Sequence, residues 1–111
     1  LQRLYYIENT GNRTFAQPVQ FQSGSRVLDV KVGDVNDDGN LDVVIVNFNL
    51  NRIAVILGNG DGTFQTPIGY ATASIPTKLE LVDLNGDGLL DVVVGLNSSQ
   101  VNIFLNDPLL P

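Results

Sequence analysis

Two stretches of this chain gather oxygen-bearing side chains at a spacing suited to binding a hard cation. Asp34-Val35-Asn36-Asp37-Asp38-Gly39-Asn40-Leu41-Asp42 and Asp83-Leu84-Asn85-Gly86-Asp87-Gly88-Leu89-Leu90-Asp91 share the pattern D-x-N-x-D-G-x-x-D. Calcium takes about six to eight oxygens at about 2.3–2.6 Å in a loose geometry. Alternate side chains of a curled loop can converge on one point: Asp34, Asn36 and Asp38 in the first, Asp83, Asn85 and Asp87 in the second. The sixth residue, Gly39 or Gly88, permits the left-handed turn that brings the chain back. The seventh, Asn40 or Leu89, offers its backbone carbonyl, and Leu89 shows that no side-chain ligand is needed there. Asp42 or Asp91 at the ninth position closes the shell as a bidentate ligand, with water completing it. Magnesium prefers a smaller octahedron with retained waters, so five oxygens from one bent loop suit calcium better. Three carboxylates repel one another around an empty site, so the loops are expected to be loose without metal.

A single D-x-N-x-D-G is often only a surface turn. Two full copies, each ending in the ninth-position Asp and each between strand-like segments, argue for an ion. An EF-hand would carry Glu at the twelfth position and flanking helices, but Ile45 and Val94 stand there between apolar runs. A dockerin-type loop fails on the same missing helix. The overall charge agrees. Net charge is −6, and seven of the 12 acidic residues fall inside these two loops rather than over a solvated surface. The six Lys and Arg are scattered, so no basic track suits nucleic acid or an anionic membrane. Absence of Cys and His removes thiolate or imidazole zinc sites and Ser–His–Asp or Cys–His nucleophiles. No paired acid–base carboxylates lie outside the loops, and calcium-bound water is a poor nucleophile source beside zinc. A structural ion in a non-enzymatic chain is the reading. No stretch approaches the roughly 18 apolar residues of a membrane span. The opening LQRLYYIENTG lacks an initiator Met, a basic n-region and an apolar h-region, and reads as the middle of a longer sequence.

The loops recur at a step of 49 residues, from Asp34 to Asp83. The same step carries Phe15 to Phe64, Pro18 to Pro67 and Phe21 to Tyr70, and sets LDVVIV (Leu41 to Val46) on LDVVVG (Leu90 to Gly95). Each unit reads as four short strands. Val27 to Val32 alternates as a half-buried strand does, and Leu41 to Val46 is a β-branched run of the kind covered on both faces. Asn47 to Asn51 turns into a third strand, Ile53 to Leu57. The turn Gly58-Asn59-Gly60-Asp61-Gly62 needs positive φ, and a fourth strand lies between Phe64 and Thr72, with Pro67 favouring an outer edge. The next unit begins near Lys78, with its third strand at Val101 to Leu105. Central strands with two apolar faces call for sheets stacked face to face, as in a β-propeller, with a β-solenoid as the alternative. The expected division is all-β: residues 1–26 the last strands of a preceding blade, 27–75 a complete blade, and 76–111 the first three strands of the next. Two blades cannot close a ring of about four to eight. The missing blades would come from a parent chain or from other copies.

GNGDGTFQTP (Gly58 to Pro67) followed by DLNGDGLLDVVVG (Asp83 to Gly95) resembles the FG-GAP or VCBS-type repeat, the blade unit of integrin-α-like propellers. The earlier copy, TGNRTFAQP then GDVNDDGNLDVVIV, is similar but departs in the turn. The FG dipeptide itself is absent, since Ala16 follows Phe15 and Gln65 follows Phe64. The resemblance implies a seven-bladed propeller with structural calcium in loops between the first two strands of a blade, and ligands on the opposite face or the loop-rich rim. It implies an extracellular module for adhesion or other protein or glycan contacts at a cell surface. The alternatives are a carbohydrate-binding propeller, a scaffold domain of a larger secreted enzyme, and a self-assembling ring of short chains. Affinity points to the same compartment. A site with Kd of about 0.1 mM adds roughly 1.4 kcal/mol at about 1 mM free calcium, and is mostly empty at cytosolic levels. Sequons at Asn12-Arg13-Thr14 and Asn97-Ser98-Ser99 fall in predicted turns, which suits glycosylation of a secreted protein. Tyr5, Tyr6 and Tyr70 read as core between blades rather than as a binding surface.

Overall fold

Runs of Val and Ile between Gly, Asn and Asp clusters make short strands, and the computed structural model is all-β over its described residues, 4–21 and 26–106. The strands are β1 (Leu4–Tyr6), β2 (Asn9–Gly11), β3 (Thr14–Phe15), β4 (Val19–Phe21), β5 (Val27–Gly33), β6 (Asp42–Asn47), β7 (Arg52–Ile56), β8 (Ile68–Ala71), β9 (Pro76–Val82), β10 (Asp91–Leu96) and β11 (Val101–Phe104). β5-β6-β7-β8 is an antiparallel meander and β9-β10-β11 repeats its first three strands. β1 pairs with β4, and between them β2 and β3 form a hairpin. The parts of the expected division at 1–3, 22–25 and 107–111 lie outside the described residues.

The repeat is visible in the pairing. Leu4 faces Phe21 as Ile53 faces Tyr70, and Asn9 faces Phe15 as Gly58 faces Phe64, each shifted by 49 residues. β1 and β4 thus repeat β7 and β8. The turns differ. Gly11, Asn12 and Arg13 all take positive φ in the first, whereas in the second only Gly60 and Gly62, the counterparts of Gly11 and Arg13, do so. Beyond the turn after the second strand the step itself changes. Val46 pairs with Ile53, but Gly95 pairs with Val101, so the later turn is one residue shorter and the step becomes 48. Asn106, not Asp107, therefore stands where Gly58 stands in the earlier unit.

Element ends also move by a residue or more. Leu41, expected at the head of a strand, is 65% exposed in the loop, and the strand runs from Asp42 to Asn47. The third strand ends at Ile56 rather than Leu57, because Leu57 already accepts the Gln65 N–H in the following turn. The fourth strand starts only after Pro67, at Ile68, since proline has no N–H for the ladder. Phe48–Leu50 forms a short 3₁₀ turn in the Asn47 to Asn51 bend.

β6 is buried along its whole length because its two faces enter two cores. Val43 and Ile45 pack with Ala54 and Ile56, against Leu4, Val27 and Phe64. Val44, Val46 and Ile53 pack on Leu79, Val92, Val94 and Leu96 of the following sheet. Each buried Val, Ile or Leu among them contributes about 1.5–3 kcal/mol by leaving water. The first strands of the two sheets meet closely. Asp29 Oδ2 accepts the Leu79 N–H at 3.0 Å, and Lys31 reaches Glu80 at 3.5 Å. Gly33 sits so near Leu90 that a Cβ there would stand 2.7 Å from its Cδ1. Tyr70 and Phe104 touch across the outer strands, with ring centroids 6.3 Å apart, and Tyr6 meets Phe64 at 6.0 Å. Of the three tyrosines expected in the core, only Tyr6 is half-buried; Tyr5 and Tyr70 are exposed. The face of β10 and β11 turned away from this core leaves Val101 and Ile103 exposed, whereas their counterparts Ile53 and Val55 cover the next sheet.

Candidate metal centre

Each acidic loop bridges the first and second strands of a sheet. The ladder ends at Gly33 opposite Asp42 and at Val82 opposite Asp91, so the ninth-position acid is already held in the sheet. Both acids are fully buried. Their carboxylates are satisfied by backbone alone. Asp42 Oδ2 accepts the Val35 N–H and Oδ1 the Gly58 N–H, both at 2.9 Å. Asp91 Oδ2 accepts the Leu84 N–H at 2.9 Å and Oδ1 the Asn106 N–H at 2.8 Å. Each acid therefore ties the start of its loop to the end of the third strand. Among the described residues neither has an ion-pair partner, since the ion pairs there join Lys31 to Asp29 and Glu80. A buried carboxylate with no basic side chain beside it is costly, and a cation offsets that cost.

The first-position acids draw the loop around themselves. Asp34 Oδ2 accepts the Gly39 N–H at 2.8 Å and Oδ1 the Asp38 N–H at 3.2 Å. Asp83 does the same with Gly88 at 2.8 Å and Asp87 at 3.2 Å, and also takes the Gly86 N–H at 2.8 Å. The Gly88 N–H holds the Asp83 carboxyl below the ordinary aspartate range. Partial burial opposes it, and the N–H groups of Gly86 and Asp87 add to it. The fifth-position acids are exposed and accept from the seventh residue, Asp38 from Asn40 at 2.9 Å and Asp87 from Leu89 at 3.0 Å. Gly39 and Gly88 both have φ of +86°, the left-handed turn the sixth position requires. The fourth position is left-handed as well, at Asp37 (+58°) and Gly86 (+74°). The glycine at position 86 was the sequence signal for that second bend.

Three acids in each loop come together. One carboxylate oxygen from each of Asp34, Asp38 and Asp42 lies within 4.8 Å of the others, and Asp83, Asp87 and Asp91 repeat the arrangement. Two oxygens on opposite sides of an ion, each about 2.4 Å from it, stand about 4.8 Å apart, so either triad can share one calcium. The residues fit the ion. Asn36 and Asn85 are exposed in the same bends, and Asn85 Oδ1 accepts the Asp87 N–H at 3.4 Å. Asn40 and Leu89 are half-buried, and the Asn40 side chain lies against Gly60. Sequence reading missed Gly58 and Asn106, the backbone donors to the buried acids. Only pairing of the third strand brings them there.

The FG-GAP-like repeat matches the chain twice, over residues 2–45 and 34–94. Both matches end inside a second strand, at Ile45 in β6 and Val94 in β10; the first takes in one acidic loop and the second takes in both. The chain belongs to the FG-GAP-like repeat family. No curated protein and no solved structure matches it.

Proposed function

We propose that each acidic loop of this FG-GAP-like repeat chain holds one structural calcium ion, within a propeller that serves as a non-catalytic extracellular interaction module. The observation that carries it is the pair of matching three-carboxylate clusters, each with a buried acid that has no basic partner among the described residues. Asp34, Asn36, Asp38 and Asp42 would hold the first ion with the Asn40 carbonyl, and Asp83, Asn85, Asp87 and Asp91 the second with the Leu89 carbonyl. Asp42 and Asp91 use both oxygens for N–H bonds, but each carboxylate oxygen keeps a second lone pair for the metal. The ion would neutralise the three acids and fix the bend between the first and second strands.

Face-to-face stacking of successive sheets supports the reading of each sheet as a blade, with neighbouring blades supplied by a longer parent chain or by other copies. Sites of this kind fill at millimolar calcium, which favours the cell exterior. Protein or glycan ligands would meet loops away from the metal end. Calorimetric titration of the chain with calcium should give two ions. Asp38→Ala and Asp87→Ala should each remove one and lower the melting temperature only when calcium is present. Two ions retained by both variants would overturn the ligand assignment.

A further inference from the structure

Asn106 lies just beyond β11 and belongs to neither acidic loop, yet its N–H groups reach both. Its backbone N–H donates to Asp91 Oδ1 at 2.8 Å. Its side-chain Nδ2 donates to the Leu90 carbonyl at 3.1 Å in the second loop. The same Nδ2 donates to the Val35 carbonyl in the first loop, 71 residues away. Both side-chain acceptors are carbonyls, so only the amide nitrogen can face them. Val35 lies between Asp34 and Asn36, and its own N–H is bound to Asp42 Oδ2. A chain of contacts therefore runs from Asp42 through Val35 and Asn106 to Leu90 and Asp91. Gly58, the counterpart of Asn106 one unit earlier, keeps the backbone bond to Asp42 but has no side chain to reach across.

We propose that Asn106 is a positioning residue that couples the two loops, so that calcium in one raises the affinity of the other. The proposal rests on the calcium reading above. Asp91 is already held in the sheet, and filling the second loop fixes Leu90 beside it, and with it the side-chain anchor of Asn106. Its Nδ2 is then held where the Val35 carbonyl needs a donor, so the first loop loses less freedom when it closes on an ion. Linkage makes the effect reciprocal: calcium in the first loop must favour the second by the same factor.

Calcium titration of a set of full-length variants, with calcium alone as probe, tests this. Affinity of the first loop is measured in the wild-type chain and in Asp87→Ala, where the second loop is disabled, and both measurements are repeated with Asn106→Ala added. Asn106→Ala keeps the backbone bond to Asp91 and removes only the side-chain link. The first loop should bind on the order of fivefold more weakly in Asp87→Ala than in wild type. That difference should vanish in the Asn106→Ala background, while the Asn106→Ala chain still binds two ions. A second measurement leaves Asn106 intact: in Asp38→Ala, calcium entering the second loop should shift the amide resonances of Val35 and Asn36. Equal first-loop affinity with and without the second loop would overturn the proposal. So would coupling that survives Asn106→Ala, or amides of Val35 and Asn36 that do not move. A wild-type chain that binds no calcium would instead overturn the metal reading beneath it.

Discussion

At the scale of the residue, the acids of one loop divide into two kinds that the shared spacing conceals. Asp38 and Asp87 are exposed, so under the calcium proposal their removal should cost the ion and little else. Asp42 and Asp91 are buried and hold two backbone N–H groups each. Asp42→Ala should strand the Val35 and Gly58 donors and destabilise the chain by about 2–4 kcal/mol even under a calcium chelator. Asp38→Ala should leave the chelated chain's stability unchanged, and thermal unfolding of both variants with and without calcium separates the two behaviours. Asp61 gives a titration test away from the acidic loops. The Thr63 hydroxyl, then the Thr63 N–H, hold its carboxyl below the ordinary value of 3.8. A folded-state pKa below the unfolded one gives stability that is complete above the ordinary value and lost as pH falls through the folded one. Carboxyl NMR titration should place Asp61 below 3.8 in the native chain and return it toward 3.8 in Thr63→Val. Alternate positions, the sixth glycine and the ninth acid were all legible as a string of letters. The depth of Asp42 and Asp91, and the role of Gly58 and Asn106, were not, because contacts fifteen and sixteen residues away decide them.

At the scale of the element, the bend between first and second strands rests on two left-handed residues rather than one. Gly39 needs φ of +86°, with nothing within 4 Å of where a Cβ would sit. Gly39→Ala therefore meets backbone strain alone, about 1–2 kcal/mol. If the metal-bound loop requires that bend, the same change should weaken the first ion by about tenfold and leave the second untouched, as site-resolved calcium titration would show. The β-branched run of β6 announced a strand covered on both sides, and it is buried throughout. The alternation in Val27 to Val32 announced a half-buried strand, but with the faces reversed: Leu28, Val30 and Val32 are exposed, while Asp29 and Lys31 turn toward β9, where the Leu79 N–H and Glu80 meet them. Strand ends were less legible. Leu41 is apolar but belongs to the loop, where the return of the chain toward Asp42 leaves it in solvent. The change of step from 49 to 48 was invisible too, because a turn one residue shorter leaves the apolar pattern of Val101 to Leu105 readable in either register.

At the scale of the whole molecule, the two larger sheets share one apolar core and a hydrogen bond between their first strands. Leu79 on β9 is buried among Val44, Val46 and Ile53 of the preceding sheet, and its N–H is bound by Asp29. Leu79→Ala should cost about 2–5 kcal/mol in urea unfolding, with a single transition, because the cavity opens between the sheets and not within one. Repetition and two-sided burial of the central strands were the parts of the architecture that the sequence disclosed, and they follow from continuous apolar runs within strands and a step of 49 between loops. The meeting of β5 with β9 was not disclosed, since Asp29, Lys31 and Gly33 look like ordinary surface and turn residues until the next sheet lies against them.

The central claim is that the two acidic bends exist to surround a divalent ion. A crystal structure of the chain grown in millimolar calcium tests it most directly. Two peaks of anomalous density should stand within the triads Asp34, Asp38, Asp42 and Asp83, Asp87, Asp91, each about 2.3–2.6 Å from carboxylate oxygens. Well-ordered loops with no density at those points, or with the carboxylates of Asp38 and Asp87 turned to solvent, would contradict it.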